Sequence, residues 1–158
     1  VLFVGLGPQV DRHARSADGL RRRMDDLAAT LPSGWRVLYA EYRGQPCIAG
    51  ALAVFQETGV DELIVIPQYP HFSRRTTGIV LSELYRVLGQ SASPMAVAVR
   101  SSWHDDAAYV NAQASVVAEY VSTHRLEPAD THLWFWAHAL PQDAGDRGDP
   151  YDSYVRRT

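Results

Sequence analysis

His138 closes the apolar run Trp134-Phe135-Trp136-Ala137 and is followed by Ala139-Leu140-Pro141. An imidazole emerging from a buried strand is poorly hydrated, which favours its neutral form and leaves a ring nitrogen able to take a proton or bind a metal. A lone histidine at a strand end is also a common hydrogen-bonded structural residue. No second His, Cys or carboxylate stands at ligand spacing from it, so the sequence carries no zinc motif.

The stretch Gln68-Tyr69-Pro70-His71-Phe72-Ser73-Arg74-Arg75-Thr76-Thr77-Gly78 is the densest polar and aromatic segment of the chain. Its hydroxyls suit the start of a helix, with Thr76 the expected N-cap. Adjacent arginines and a histidine among aromatic rings also suit a planar ligand bearing carboxylates, through paired donors and stacking. In Ser101-Ser102-Trp103-His104-Asp105-Asp106 the acids are explained by a helix start, whose free backbone donors and positive dipole end they satisfy. Trp103 is not explained that way; a wall for a flat aromatic ligand gives it a role.

Other motifs support less. Gly5-Leu6-Gly7-Pro8 is half of a dinucleotide fingerprint without its remaining glycine and helix, and reads as a tight turn after a strand. No Gly-x-Ser-x-Gly elbow is present, and Cys47, at an expected helix start after Pro46, has no assigned base, so nucleophilic catalysis finds no support. Asp146-Arg147-Gly148-Asp149-Pro150-Tyr151 has the chemistry of a bracing turn.

These segments need elements to position them, and the apolar pattern supplies a set. Short buried runs at residues 1–6, 35–42, 63–67, 95–99 and 132–137 predict strands; residues 16–31, 47–58, 77–88 and 107–124 carry helical spacing. In the first helix Leu20, Met24, Leu27 and Leu31 recur at three- and four-residue steps, with Ser16 as N-cap and Pro32 beyond the end. Gly59 and Gly89 close the second and third helices, and a further helix opens after Pro150. Strands alternating with helices predict an α/β, flavodoxin-like, doubly wound parallel sheet of five strands in the order 2-1-3-4-5. Ligands bind beyond the carboxyl ends of such strands, where the segments described above fall.

The whole chain of 158 residues is the size of one domain, and 46% apolar with 21% charged residues is an ordinary globular balance. A net charge of −3 excludes the basic footprint of a nucleic-acid binder. All 15 basic residues are Arg, a bias we assign mainly to coding, since a solvated face accepts either cation. The single Cys47 excludes a disulfide framework, and no apolar run reaches membrane-spanning length or forms a signal segment; a cytoplasmic setting is expected. The chain opens on Val1 rather than Met, and a longer parent product is expected.

Taken together, these segments resemble ferrochelatase, which inserts ferrous iron into a porphyrin at the end of haem synthesis. Pro67 to Thr77 resembles the family's proline, tyrosine-proline, glutamine, tyrosine-serine and double-threonine signature. His138-Ala139-Leu140-Pro141, followed by Gly148-Asp149-Pro150-Tyr151, resembles its serine-alanine-histidine motif and the turn after it. Trp103-His104-Asp105-Asp106 with Ala108-Tyr109-Val110 is similar to the bacterial tyrosine-histidine-aspartate-aspartate-proline-alanine-tyrosine pattern, and Leu2 to Pro8 to the first strand and its glycine-proline turn. The resemblance runs over nearly the whole chain, as one chelatase-like domain corresponding to the amino-terminal half of a bacterial, protoporphyrin-type enzyme.

The resemblance implies a lyase with His138 as proton acceptor and metal ligand. It implies Leu6, Tyr69, Ser73, Thr76, Trp103 and His104 as substrate-binding residues, with Leu6 under the opposite macrocycle face and Trp103 at the pocket wall. It implies no required cofactor, ferrous iron and porphyrin as substrates, and compatibility with peripheral membrane association of the full enzyme. Departures are also legible. The family carries a long lip over the porphyrin where this chain has only residues 9–15, so a missing segment is expected there. The arginine-tyrosine-glycine signature becomes Glu41-Tyr42-Arg43-Gly44 with a one-residue offset. The family's second half supplies a glutamate opposite the histidine, and here that half is expected to be missing. The alternatives are a homodimeric small chelatase for another divalent metal, and a tetrapyrrole-binding or regulatory module without chelatase activity.

Overall fold

The computed structural model describes residues 1–5, 17–91, 94–141, 145 and 147–158. Contacts group them into two compact units, Val1–Ser102 and Trp103–Thr158. The expected N-cap Ser16, the side chain of Leu20, the candidate contact Leu6 and the shortened segment 9–15 lie outside the described residues.

In the first unit β1 (Leu2–Gly5), β2 (Leu38–Glu41), β3 (Glu62–Pro67) and β4 (Ala96–Val99) alternate with α1 (Ala17–Thr30), α2 (Ile48–Glu57) and α3 (Thr77–Leu88). All pairings are parallel and the strand order is β2-β1-β3-β4. Gly5 stands level with Glu41, and Val4 with Pro67, so the carboxyl ends of β2, β1 and β3 lie side by side.

In α2 a cap and the apolar spacing agree. Ile48, Ala51, Leu52 and Phe55 fall on one face and are buried, and Cys47 is the N-cap, its sulfur accepting from the Gly50 N–H at 3.4 Å. The helix stops at Thr58, and Gly59 takes φ 72°, a left-handed conformation that costs glycine little. In α3, Thr77, Val80 and Leu84 are buried at the same spacing. These faces meet Leu2, Val4, Leu63 and Val65 of the sheet in one apolar cluster. Each such side chain contributes roughly 1.5–3 kcal/mol by leaving water.

The sheet has four of the five expected strands. Residues 132–137, expected as the fifth, take no strand pairing, and Trp134, Phe135 and Trp136 are 90%, 82% and 83% exposed. Aromatic β-propensity measures fit to a paired, half-buried surface rather than a backbone preference, so this run is extended in composition without being a strand in structure.

The second unit carries α4 (Ala107–Thr123), a short 3-10 turn at Pro128–Asp130 and α5 (Tyr151–Arg157). Of the two acids expected at this helix start, Asp106 is the one that caps α4, its Oδ1 accepting from the Ala108 N–H at 2.9 Å. The expected turn before α5 is also present: Gly148 takes φ 77°, and Asp149 Oδ1 accepts from the Tyr151 N–H at 3.1 Å. No described helix is long and apolar enough to cross a membrane.

Candidate functional site

Beyond the carboxyl ends of β1, β2 and β3 the first unit gathers polar groups. The ladder continues past the strands, with Tyr42 N–H on Gly5 O at 2.8 Å and Gln68 N–H on Val4 O at 2.9 Å. Glu41 is buried although it ends an apolar strand, and its Oε1 accepts from the Tyr39 hydroxyl at 3.1 Å. A β-carbon on Gly5 would lie 3.0 Å from both Gln68 Oε1 and Tyr39 Oη, so these two groups use the space left by the bare glycine. In the sequence Glu41 stands out only as a departure from a family signature, which does not predict its burial. Its signal is a carboxylate two residues from Tyr39, which strand geometry puts on the same face.

In the loop after β3, Ser73 is 1% exposed and organises the turn. Its Oγ accepts from the Arg75 N–H at 3.1 Å, and its carbonyl accepts from Thr76 and Gly78 N–H at 3.2 and 2.9 Å. Thr76 is the N-cap of α3, as expected, but without a side-chain cap bond. Tyr69 and His71 are half-buried and Arg74 and Arg75 exposed. The Ser102 hydroxyl donates to Pro70 O at 3.1 Å, fastening the start of the next loop to this one. The structure thus gives Ser73 a turn-forming role and leaves Tyr69 and Thr76 beside it on the same loop.

In the second unit Trp103 is half-buried and meets Tyr109 of α4 edge to face, ring centroids 4.9 Å apart. Burial pushes the Tyr109 hydroxyl above the ordinary tyrosine range, and its hydrogen bond with Gln113 opposes part of that rise. His104 is 4% exposed, its ring stacked on Tyr154 of α5 at 4.0 Å and 11°. His138 is exposed and meets Trp136 edge to face at 5.1 Å. The desolvation expected of a residue leaving a paired strand is therefore not seen, because residues 132–137 are unpaired. Among the described residues no group of three or more His, Cys, Asp or Glu could hold a metal ion.

A ferrochelatase profile matches residues 3–158, a span that takes in the β1 end, the loops after β3 and β4, and the His138 segment. The chain belongs to the ferrochelatase family. Curated ferrochelatases similar to it include that of Geotalea daltonii, 36% identical over 132 residues, which cover 84% of this chain and 41% of the relative. The Neisseria gonorrhoeae ferrochelatase is 32% identical over 145 residues, 92% of this chain and 40% of the relative. That of Geobacter sp. strain M21 is 27% identical over 158 residues, 96% and 50% respectively. The chain thus spans half or less of the length of these ferrochelatases.

Proposed function

We propose that this chain is the porphyrin-facing, histidine-bearing part of a ferrochelatase, acting in the insertion of ferrous iron into protoporphyrin. The observation that carries this reading is the family match through residues 3–158, which includes His138. Metallation exchanges the pyrrole N–H protons of the macrocycle for the metal ion, with no change in the oxidation state of iron. A neutral imidazole is suited to take one of those protons as the N–Fe bond forms, and general-base assistance of this kind contributes about 10²–10⁴-fold. The exposure of His138 leaves its ring open to a ligand, and Trp103 offers an aromatic face for a flat macrocycle. Leu6, Tyr69, Ser73 and Thr76 belong to this reading as substrate contacts, and His104 as a neighbour of the wall.

The test is anaerobic incubation of the purified chain with ferrous iron and protoporphyrin, following the absorbance change of metallation beside His138→Ala and recording the mass in solution. His138-dependent insertion supports the reading. Porphyrin binding with insertion unaffected by His138→Ala overturns the histidine's role, and no binding at all overturns the reading itself. Binding without insertion by either form means that the rest of the ferrochelatase supplies the catalytic complement or that the chain only carries tetrapyrrole.

A further inference from the structure

We propose that Tyr154 is a positioning residue for Trp103, acting through His104. The sequence placed His104 among the substrate contacts, yet its ring lies flat beneath Tyr154, 4.0 Å between centroids, with 4% of the residue exposed. A ring so covered contributes by where it holds its neighbours. Its carbonyl accepts from the Thr158 hydroxyl at 3.2 Å, and the same hydroxyl reaches Tyr154 O at 3.2 Å, so α5 grips His104 through both ring and backbone. Trp103, the preceding residue, is held from the other side. Its ring meets Tyr109 of α4, and its carbonyl accepts from the Asp106 N–H at 3.3 Å. Consecutive residues are thus anchored to different helices, so a displacement of His104 moves the backbone that carries the indole.

The grip is itself braced. Buried Asp149 fixes the entry to α5 through the Tyr151 N–H, and the Arg157 guanidinium stands 6.0 Å from the Tyr154 ring centroid, a cation–π distance. Stacking and cation–π attraction both act on the ring face, so what Tyr154 supplies is its aromatic plane rather than its hydroxyl.

The experiment uses the whole chain labelled with 5-fluorotryptophan, the Trp103 fluorine resonance being assigned by its loss in Trp103→Phe. Tyr154→Leu, which fills the volume without a ring face, is expected to shift or broaden the Trp103 resonance and leave that of Trp35 in place. Tyr154→Phe is expected to restore it. Tyr154→Ala serves as a second variant, and circular dichroism confirms helix content for each. A Trp103 resonance unmoved by Leu and by Ala, or a Phe variant that behaves like Leu, overturns the proposal. A further arm rests on the ferrochelatase reading: protoporphyrin should bind about threefold to tenfold more weakly to Tyr154→Leu than to Tyr154→Phe. Equal binding by both variants removes the consequence for ligand, whereas failure of the unsubstituted chain to bind porphyrin counts against the reading of function and leaves the fluorine result to decide the positioning role.

Discussion

The Tyr39 hydroxyl donates to Glu41 Oε1 at 3.1 Å, and both side chains are buried at the end of β2. A buried carboxylate needs its donors far more than an exposed one does. Tyr39→Phe removes the donor and leaves the acceptor, so it should lower stability by about 1–3 kcal/mol. Glu41→Gln keeps an oxygen facing the hydroxyl and discards the charge, and should cost less than Tyr39→Phe. Urea denaturation of the three forms, compared at equal slope, checks the ranking; equal losses would show that the hydroxyl is not what holds the carboxylate.

The same carboxylate explains a glycine. A β-carbon on Gly44 would fall 1.6 Å from Glu41 Oε2 and 2.8 Å from its Cδ, closer than atoms can approach. Gly44→Ala must therefore displace a buried acid, and should destabilise by about 1–3 kcal/mol. Shortening the acid should relieve the clash, so the double variant Gly44→Ala/Glu41→Ala should lose less than the sum of its single changes. Strict additivity in a double-mutant cycle would refute the contact.

The burial of Tyr109 predicts an alkaline loss of stability in the second unit. Burial is the larger influence on its hydroxyl and raises its pKa in the folded chain, so the folded state holds the phenolic proton to higher pH than the unfolded state. The sign follows from linkage: this contribution is fully present below the ordinary tyrosine value of about 10 and is lost as pH rises through the folded value. An ultraviolet titration should show one tyrosine ionising late, and Tyr109→Phe should remove that step and reduce the alkaline loss of stability. A variant whose alkaline stability matches the parent's would dissociate Tyr109 from the effect.

Local chemistry was legible, and so were the parallel pairing and order of the first four strands; the place of the fifth run was not. The expected third helix matches Thr77–Leu88, and the second matches Ile48–Glu57 with the expected first and last residues as caps, because apolar spacing and capping groups coincide there. The expected second strand is shortened to Leu38–Glu41, since Trp35 and its neighbours lie outside the ladder. The run at 132–137 has strand composition, but a strand exists only by its hydrogen-bonded neighbour, which no local pattern specifies. At the candidate site, Asp106 as a cap was readable from its own few residues. The burial of His104 was not, because the covering ring belongs to a helix at the far end of the chain.

The central place of β1 in the strand order has a kinetic meaning. It lies between β2 and β3, so one edge is paired once Leu38–Glu41 has been made and the other stays open until Glu62–Pro67 follows. Leu2 and Val4, fully covered in the finished sheet, have no lasting shelter during synthesis until that later strand arrives. Parallel pairing of distant segments is slow, because loop closure precedes its reward. The strand that ends in Gly5 is thus synthesised before the partners that cover it, and its waiting time is the period in which a nascent chain is most open to aggregation and to capture by chaperones.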